Sequence, residues 1–376
     1  MNGSAASAPS VLPVPPFFKK TVFLLLIVLI YGGPVYAAYH FALWVEPLAE
    51  RFVILPAAAL AEGAPNLVYL FLFGDFGIVS LGTFSLVWAF PVVVFVGISI
   101  AVTEASGLQR ELIRTVDPML RRIGLTGSDL VPVLTGYGCN VVAIMKAQSC
   151  RSCRQTSCAA MIFFGSACSY QIGATLSVFN AAQVPWLFLP YILMLFIVGA
   201  VHTRVWHGKP AASAYPLRSS LNATIRIPDP KRVKRKVTGM IRQFFLQAMP
   251  VFLLICIIAF VLSELKIIAF AGRLAEPIFQ FLSLSTEALT GILFSFLRKD
   301  GILLFNEGGG ALIMSFTTVE VFIFVYLAST LSGCLVTVWT IGKYQGAGQA
   351  IRLTLQQALS AIVSALAILS IARILL

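Results

Sequence analysis

Apolar stretches, most of them about one bilayer in length, follow one another along this chain from residue 21 almost to its end. They fall near 21–44, 51–73, 76–103, 129–147, 159–181, 185–206, 244–262, 266–284, 286–307, 315–341 and 351–374. A helix needs about 20 residues to cross about 30 Å of hydrocarbon. The pattern predicts an all-α polytopic membrane protein with about ten to eleven membrane segments.

Several of these stretches are poor simple spans. Segment 51–73 contains Glu62, Gly63 and Pro65, and segment 129–147 contains Pro132, Gly136 and Gly138. Segment 286–307 carries Arg298, Lys299 and Asp300. A charge at the bilayer centre costs about 2.5–3.5 kcal/mol on insertion scales. Three adjacent charges therefore belong at an end, in a cavity or in a broken helix. Non-helical backbone at membrane depth is tolerated only where protein or water covers it. Broken or re-entrant helices are expected.

Two broken stretches look alike. Residues 117–136 read DPMLRRIGLTGSDLVPVLTG and residues 276–291 read EPIFQFLSLSTEALTG. Both begin acid–Pro and both end Leu-Thr-Gly. Paired Gly/Pro-interrupted segments in two halves point to a transporter's substrate site.

Composition sharpens the class. Of 376 residues 59% are apolar and 11% charged, where a soluble domain carries about 25% charged residues. This excludes a soluble enzyme, a disordered chain and a disulfide scaffold. The net charge of +12 is uneven: residues 204–242 hold ten Lys or Arg against the single acid Asp229. Between apolar segments this reads as a cytoplasmic loop obeying the positive-inside rule and touching anionic headgroups, not as a nucleic-acid surface. The expected organisation is a flexible leader at 1–20, a first transmembrane half at 21–206, a basic linker at 207–242 and a second half at 243–376.

The candidate chemistry is sulfur-rich. In Gly136-Tyr137-Gly138-Cys139-Asn140 the glycines break the helix and bare the backbone, Cys139 offers a soft ligand and Asn140 an amide oxygen; the alternative is a kink with a buried Cys. Ser166-Ala167-Cys168-Ser169-Tyr170-Gln171 is polar inside an apolar span, or is small-residue packing with serines bonded to preceding carbonyls. Cys334 alone reads as a buried Cys. Asp300 either ligates a cation beside Arg298 and Lys299, or the three charges form an interfacial anchor. Glu104 is a ligand or an interfacial acid. Cys150, Cys153 and Cys158 have metal-like spacing, yet no fourth Cys or His stands near, and their basic neighbours lower thiol pKa, so a cytoplasmic metal or redox cluster is expected there. Sulfur with amide and carboxylate oxygen suits Fe(II) better than Mg or Ca. His40, His202 and His207 form no pair at helical spacing. There is no Walker motif, GxSxG or HExxH, and no enzyme chemistry is expected.

The stretch from Glu104 to Phe179 resembles the membrane domain of the ferrous-iron transporter B family, whose channel halves are called Gate domains. The resemblance runs through Glu104-x-Ser-Gly, Arg122-Ile-Gly-Leu, Gly136-Tyr-Gly-Cys-Asn-Val, Ala143-Ile-Met and Cys168-Ser169. Leu289-Thr-Gly with Arg298-Lys-Asp-Gly looks like the family's second Gate, and the Cys334 region like its late cysteine-bearing helix. The resemblance covers about 100–374 and implies two Gate-type repeats and passage of Fe(II) by Cys139, Cys168 and Cys334. Asn140, Ser169, Glu104 and Asp300 are further ligands on the same ground.

The chain departs from the family at Val142, where Pro is usual, at Tyr170-Gln171, where small-Arg is usual, and in its Cys-bearing loop 150–158. The family's GTP-binding domain has no counterpart motif here, so no GTP site is expected in this chain. A separate GTPase or small cytoplasmic partner at 204–242, and a homo-oligomer, are the partners to consider beside the lipid bilayer. The expected function is transport of a divalent metal ion, foremost Fe(II) with Mn(II) or Zn(II) as alternatives, across a bacterial inner membrane. The rivals are a Gate-fold transporter of nucleosides or other small organic solutes, and a non-transporting membrane metal or redox sensor.

Overall fold

A computed structural model describes residues 16–74, 77–150, 153–208, 227–281, 285–297 and 299–375. It is 87% helical, with no strand among the described residues. Helix α1 (Pro16–Ala49) is followed by α2 (Leu55–Leu60), α3 (Asn66–Phe73), α4 (Ile78–Phe84) and α5 (Phe90–Ala105). Then come α6 (Leu108–Arg122), α7 (Leu130–Gly136), α8 (Asn140–Ser149), α9 (Gln155–Gly165), α10 (Ser169–Ala181) and α11 (Phe188–His207). The second part comprises α12 (Pro230–Gln243), α13 (Met249–Glu264), α14 (Ile267–Phe281), α15 (Leu289–Leu297) and α16 (Ala311–Met314). It ends with α17 (Thr318–Thr330), α18 (Leu335–Gln345) and α19 (Ala347–Leu375). A 3-10 stretch, Lys299–Gly310, joins α15 to α16.

Among the described residues five stretches are long and apolar enough to cross a membrane: Asn66–Ala105, Gln155–Ala181, Pro185–His207, Thr318–Gln345 and Ala347–Ile374. The protein is thus a helical integral membrane protein. In its most apolar window Gln155–Ala181 is 94% buried, whereas Ala347–Ile374 is 22% buried. The first is therefore central. The second turns Ile351, Leu355, Leu359 and Val363 outward, as a helix facing lipid does.

The same order of elements occurs twice. Helix α6 contains Pro118 and leads through a 3-10 turn, Gly127–Asp129, into the short α7. Helix α14 contains Pro277 and leads through a 3-10 turn, Thr286–Ala288, into the short α15. Later in each part a span is broken in the middle, between α9 and α10 and between α17 and α18. Local chemistry fixes these corners. Thr126 and Asp129 form a capping box, and Asp117 Oδ1 accepts from Gly127 N at 2.5 Å. Thr317 and Glu320 form the same box at the start of α17. Each box satisfies helix N–H groups that would otherwise lack partners.

One buried cluster holds Trp88, Phe179 and Tyr191 from the first part with Phe305, Phe324 and Tyr326 from the second. Another joins Ile144, Met161 and Ile162 to Ile341 and Leu353. The two parts share one interior.

The expected leader falls largely on residues 1–15, outside the described residues, and α1 begins at Pro16. Of the expected linker, residues 209–226 lie outside the described residues. Its remainder is largely the basic helix α12, where Asp229 accepts from Lys231 N at 3.0 Å.

The break between α17 and α18 is held by close packing. A Cβ on Gly333 would stand 1.6 Å from Phe163 Cε2. Gly333→Val is expected to cost about 1–3 kcal/mol through overpacking, read as a fall in thermal midpoint of the detergent-solubilised protein. An unchanged midpoint would mean that the two broken spans do not meet at this point.

Candidate functional site

Three of the seven cysteines share one structural position. Cys139 is the N-cap of α8, Cys168 of α10 and Cys334 of α18. Each follows a helix break and stands where a new helix presents unpaired N–H groups and the positive end of its dipole. All three side chains are partly buried and none is in a disulfide.

The breaks interlock. Ser169 N donates to Gly138 O at 3.1 Å. Asn140 Nδ2 donates to Ser166 O at 3.4 Å, and Tyr137 OH to Gly165 O at 3.3 Å. Ser166 Oγ donates to Val133 O at 3.2 Å. A Cβ on Gly136 would stand 2.7 Å from Ser166 Cβ, so only glycine lets the two breaks meet this closely. Asn140 is 3% exposed and its Oδ1 has no hydrogen-bond partner.

The third break joins this pair. Cys139 and Cys334 lie within electrostatic reach of one another. The Lys299 ammonium lies within reach of both Cys168 and Cys334. Lys299 is 3% exposed, and its Nζ donates to the carbonyls of Ala328, Ser329 and Ser332. Gln357 Nε2 donates to Thr330 O at 2.7 Å. The carbonyls released where α17 ends are thus met by a lysine from the 3-10 stretch and a glutamine from α19. Cys334 Sγ sits 2.9 Å from Thr337 Oγ1, and Ser332 Oγ is buried without a partner. Nearby, Gln171 Nε2 donates to Tyr191 OH at 2.6 Å, and Tyr191 OH donates to Ser329 Oγ at 2.7 Å. This chain ties α10, α11 and α17 together.

The structure therefore brings together Cys139, Cys168, Cys334, Asn140 and Ser169. It places Glu104 elsewhere, at the exposed end of α5, paired with Lys236 of α12. Desolvation holds the Lys236 ammonium below the ordinary lysine value. The side chain of Asp300 lies outside the described residues. Cys150 and Cys153 form a disulfide at the turn between α8 and α9. Cys158 is buried apart from them, its Sγ 3.8 Å from Asp129 O. Among the described residues no three His, Cys, Asp or Glu side chains gather closely enough to hold a metal. Each of Cys139, Cys168 and Cys334 stands at a helix start after a break, beside small polar groups.

Sequence reasoning missed the role of Lys299 and the partners Gln357, Tyr191 and Ser329. The signal for Lys299 was present as a charge inside an apolar stretch, but nothing local tells which way a lysine points.

Comparison with known proteins agrees with this architecture. Residues 86–182, which carry Cys139 and Cys168, match the Gate family, described as nucleoside recognition. The chain is 30% identical over 191 residues to the Fe(2+) transporter FeoB of Legionella pneumophila, a match covering 50% of this chain and 25% of that protein. It is 26% identical over 228 residues to the Fe(2+) transporter FeoB of Synechocystis, covering 56% of this chain and 36% of that one. A solved structure of CNTnw in an inward-facing substrate-bound state superposes with a TM-score of 0.50 at 15% identity, covering 93% of this chain and 96% of the other. That likeness concerns the fold alone. The matched stretch thus spans about a quarter to a third of the length of these FeoB relatives. Residues 86–182 are similar to the Gate family, within a membrane region similar to that of the Fe(2+) transporter FeoB.

Proposed function

We propose that this chain moves a divalent metal ion, foremost Fe(II), across a bacterial inner membrane along a path marked by Cys139, Cys168 and Cys334. The observation that carries the reading is the shared position of these cysteines, each at the N-cap of a helix that follows a break. A sulfur there meets the unpaired N–H groups and the positive dipole end of its helix. Sulfur, the free Oδ1 of Asn140 and bared carbonyls then replace part of the ion's water shell. Ser169 stands at the second station beside Cys168. Asp300, adjacent to Lys299 in the chain, and Glu104, at the exposed end of α5, are assigned as outer ligands on the way to the thiols. Mn(II) and Zn(II), borderline ions of similar preference, are competing cargo.

The architecture proposed with this function has ten to eleven membrane segments arranged as two Gate-type repeats, one in 21–206 and one in 243–376. The repeated order of α6–α7 with α9–α10 and of α14–α15 with α17–α18 supports it. The basic segment 204–242 faces the cytoplasm, and a GTPase acting in trans is its proposed partner.

An organic solute is the weaker reading. The groups suited to pair with a nucleoside, the Gln171 amide and the Tyr191 and Ser329 hydroxyls, are bonded to one another. Each would leave a partner unsatisfied if it turned to a ligand.

Fe(II) flux into proteoliposomes under anaerobic, reducing conditions tests the reading, with Mn(II), Zn(II) and a nucleoside as competitors. Cys139→Ser with Cys334→Ser is expected to lower Fe(II) flux at least ten-fold, with a normal elution profile and thermal midpoint. Flux at the wild-type rate would remove these thiols from the path, and nucleoside uptake with no metal flux would favour the organic solute.

Cys150 and Cys153, paired with one another, are assigned to redox sensing at the cytoplasmic turn. Replacing both by Ser is expected to keep flux within two-fold of wild type under reducing conditions and to abolish any response to a mild oxidant. An oxidant response that persists in the double variant would place the redox-sensitive group elsewhere.

A further inference from the structure

The site has an electrostatic feature that its proposed cargo does not explain. A path for a divalent cation holds a buried ammonium. Lys299 is 3% exposed, and its Nζ bonds three main-chain carbonyls at the end of α17. It also lies within electrostatic reach of Cys168 and Cys334. Three converging carbonyl oxygens form a cage of the kind that coordinates a bare cation in a channel. Here the cage is filled from within by a side chain.

Charge arithmetic gives this arrangement a consequence. Like charges a few ångströms apart repel strongly where water is excluded. A divalent ion at Cys168 or Cys334 and an ammonium in the adjoining cage therefore disfavour one another. The lysine stem has four rotatable carbons and can carry the charge away, which a fixed backbone dipole cannot.

We propose that Lys299 is a tethered competitor of the transported ion: its ammonium occupies the α17/α18 carbonyl cage between turnovers and is displaced when a divalent ion reaches the adjacent thiols. This rests on the metal-path reading above and adds what keeps binding weak. Without a competing charge the ion would stay longer at each thiol. Return of the ammonium to its cage repels the ion and lets it leave. Lys299 thereby sets the residence time of the ion, and the carbonyl cage is a small-cation site in its own right once the side chain is removed.

The test uses the full chain, reduced and purified in detergent under anaerobic conditions at a single pH. Co(II) is titrated and thiolate-to-cobalt charge-transfer absorbance is read. Lys299→Met is expected to bind Co(II) at least ten-fold tighter than wild type, while Lys299→Arg stays within three-fold. In Lys299→Ala, added methylammonium is expected to weaken Co(II) binding back toward wild type, and to have no such effect on wild type. A second measurement needs no variant. Labelling of Lys299 by a small amine-reactive reagent, quantified by mass spectrometry, is expected to rise several-fold when Co(II) is added to wild type.

Wild-type absorbance lost in Cys334→Ser, with unchanged affinity in Lys299→Met, overturns the proposal and leaves the metal path standing. If Lys299→Met does not fold, unchanged labelling of wild-type Lys299 on Co(II) addition overturns it equally. Absence of a thiolate–cobalt band in wild type overturns both the proposal and the metal path.

Discussion

A carbonyl released by a broken helix has no water to turn to inside a bilayer, and leaving it unmet costs several kcal/mol. This constraint governs the interior of the protein. The breaks at 137–139, 166–168 and 331–334 each bare backbone, and their groups are met by one another or by reaching side chains. Gly138 O is met by Ser169 N, Ser166 O by Asn140, and the end of α17 by Lys299 and Gln357. The breaks are met in part within their own helices as well, as where Gly138 N and Cys139 N donate to Thr135 O. Each part thus meets its own breaks, and the two parts share a core built from Trp88 and Tyr191 together with Phe305 and Tyr326. The polar interior orders the fold.

Much of this was legible from residue types. Glycines on both sides of Tyr137 announce a break, and the structure ends α7 at Gly136 and restarts at Asn140. Three charges in segment 286–307 announce something other than a lipid-facing helix, and the chain there is a 3-10 stretch from Lys299. The acid–Pro pairs that suggested a repeat do lie in corresponding helices, α6 and α14. They fall inside those helices rather than at the breaks. The acid has a local task there: Asp117 accepts from Gly127 N across the following turn and folds the corner.

What was not legible depends on long-range partners. A lysine within an apolar run reads equally as a snorkelling anchor or a buried cation, and only the approach of α17 decides it for Lys299. Glu104 stands 132 positions from Lys236, and no spacing rule reports such a pair. The C-x2-C-x4-C spacing suggests one cluster. Yet a turn before α9 pairs Cys150 with Cys153, while Cys158, one turn into α9, points into the core. Helical geometry separates side chains that are close in sequence, and loop closure joins those that share a turn.

The scattering of the thiols has a consequence of its own. A closed set of four soft ligands holds zinc with about 10–16 kcal/mol of apparent free energy, and an ion bound so tightly does not leave on the time scale of transport. Among the described residues no three metal-binding side chains meet. Each cysteine instead begins its own helix, beside a bare carbonyl, a hydroxyl or an amide. An ion passing from Cys139 to Cys334 or Cys168 would never meet more than a partial shell and would keep part of its water at every step. On the proposed metal path, weak stations in series would give passage, where the same thiols gathered in one cage would give storage. The constraint that makes the backbone expensive to break in a membrane is also what places each of these cysteines at the start of its own helix.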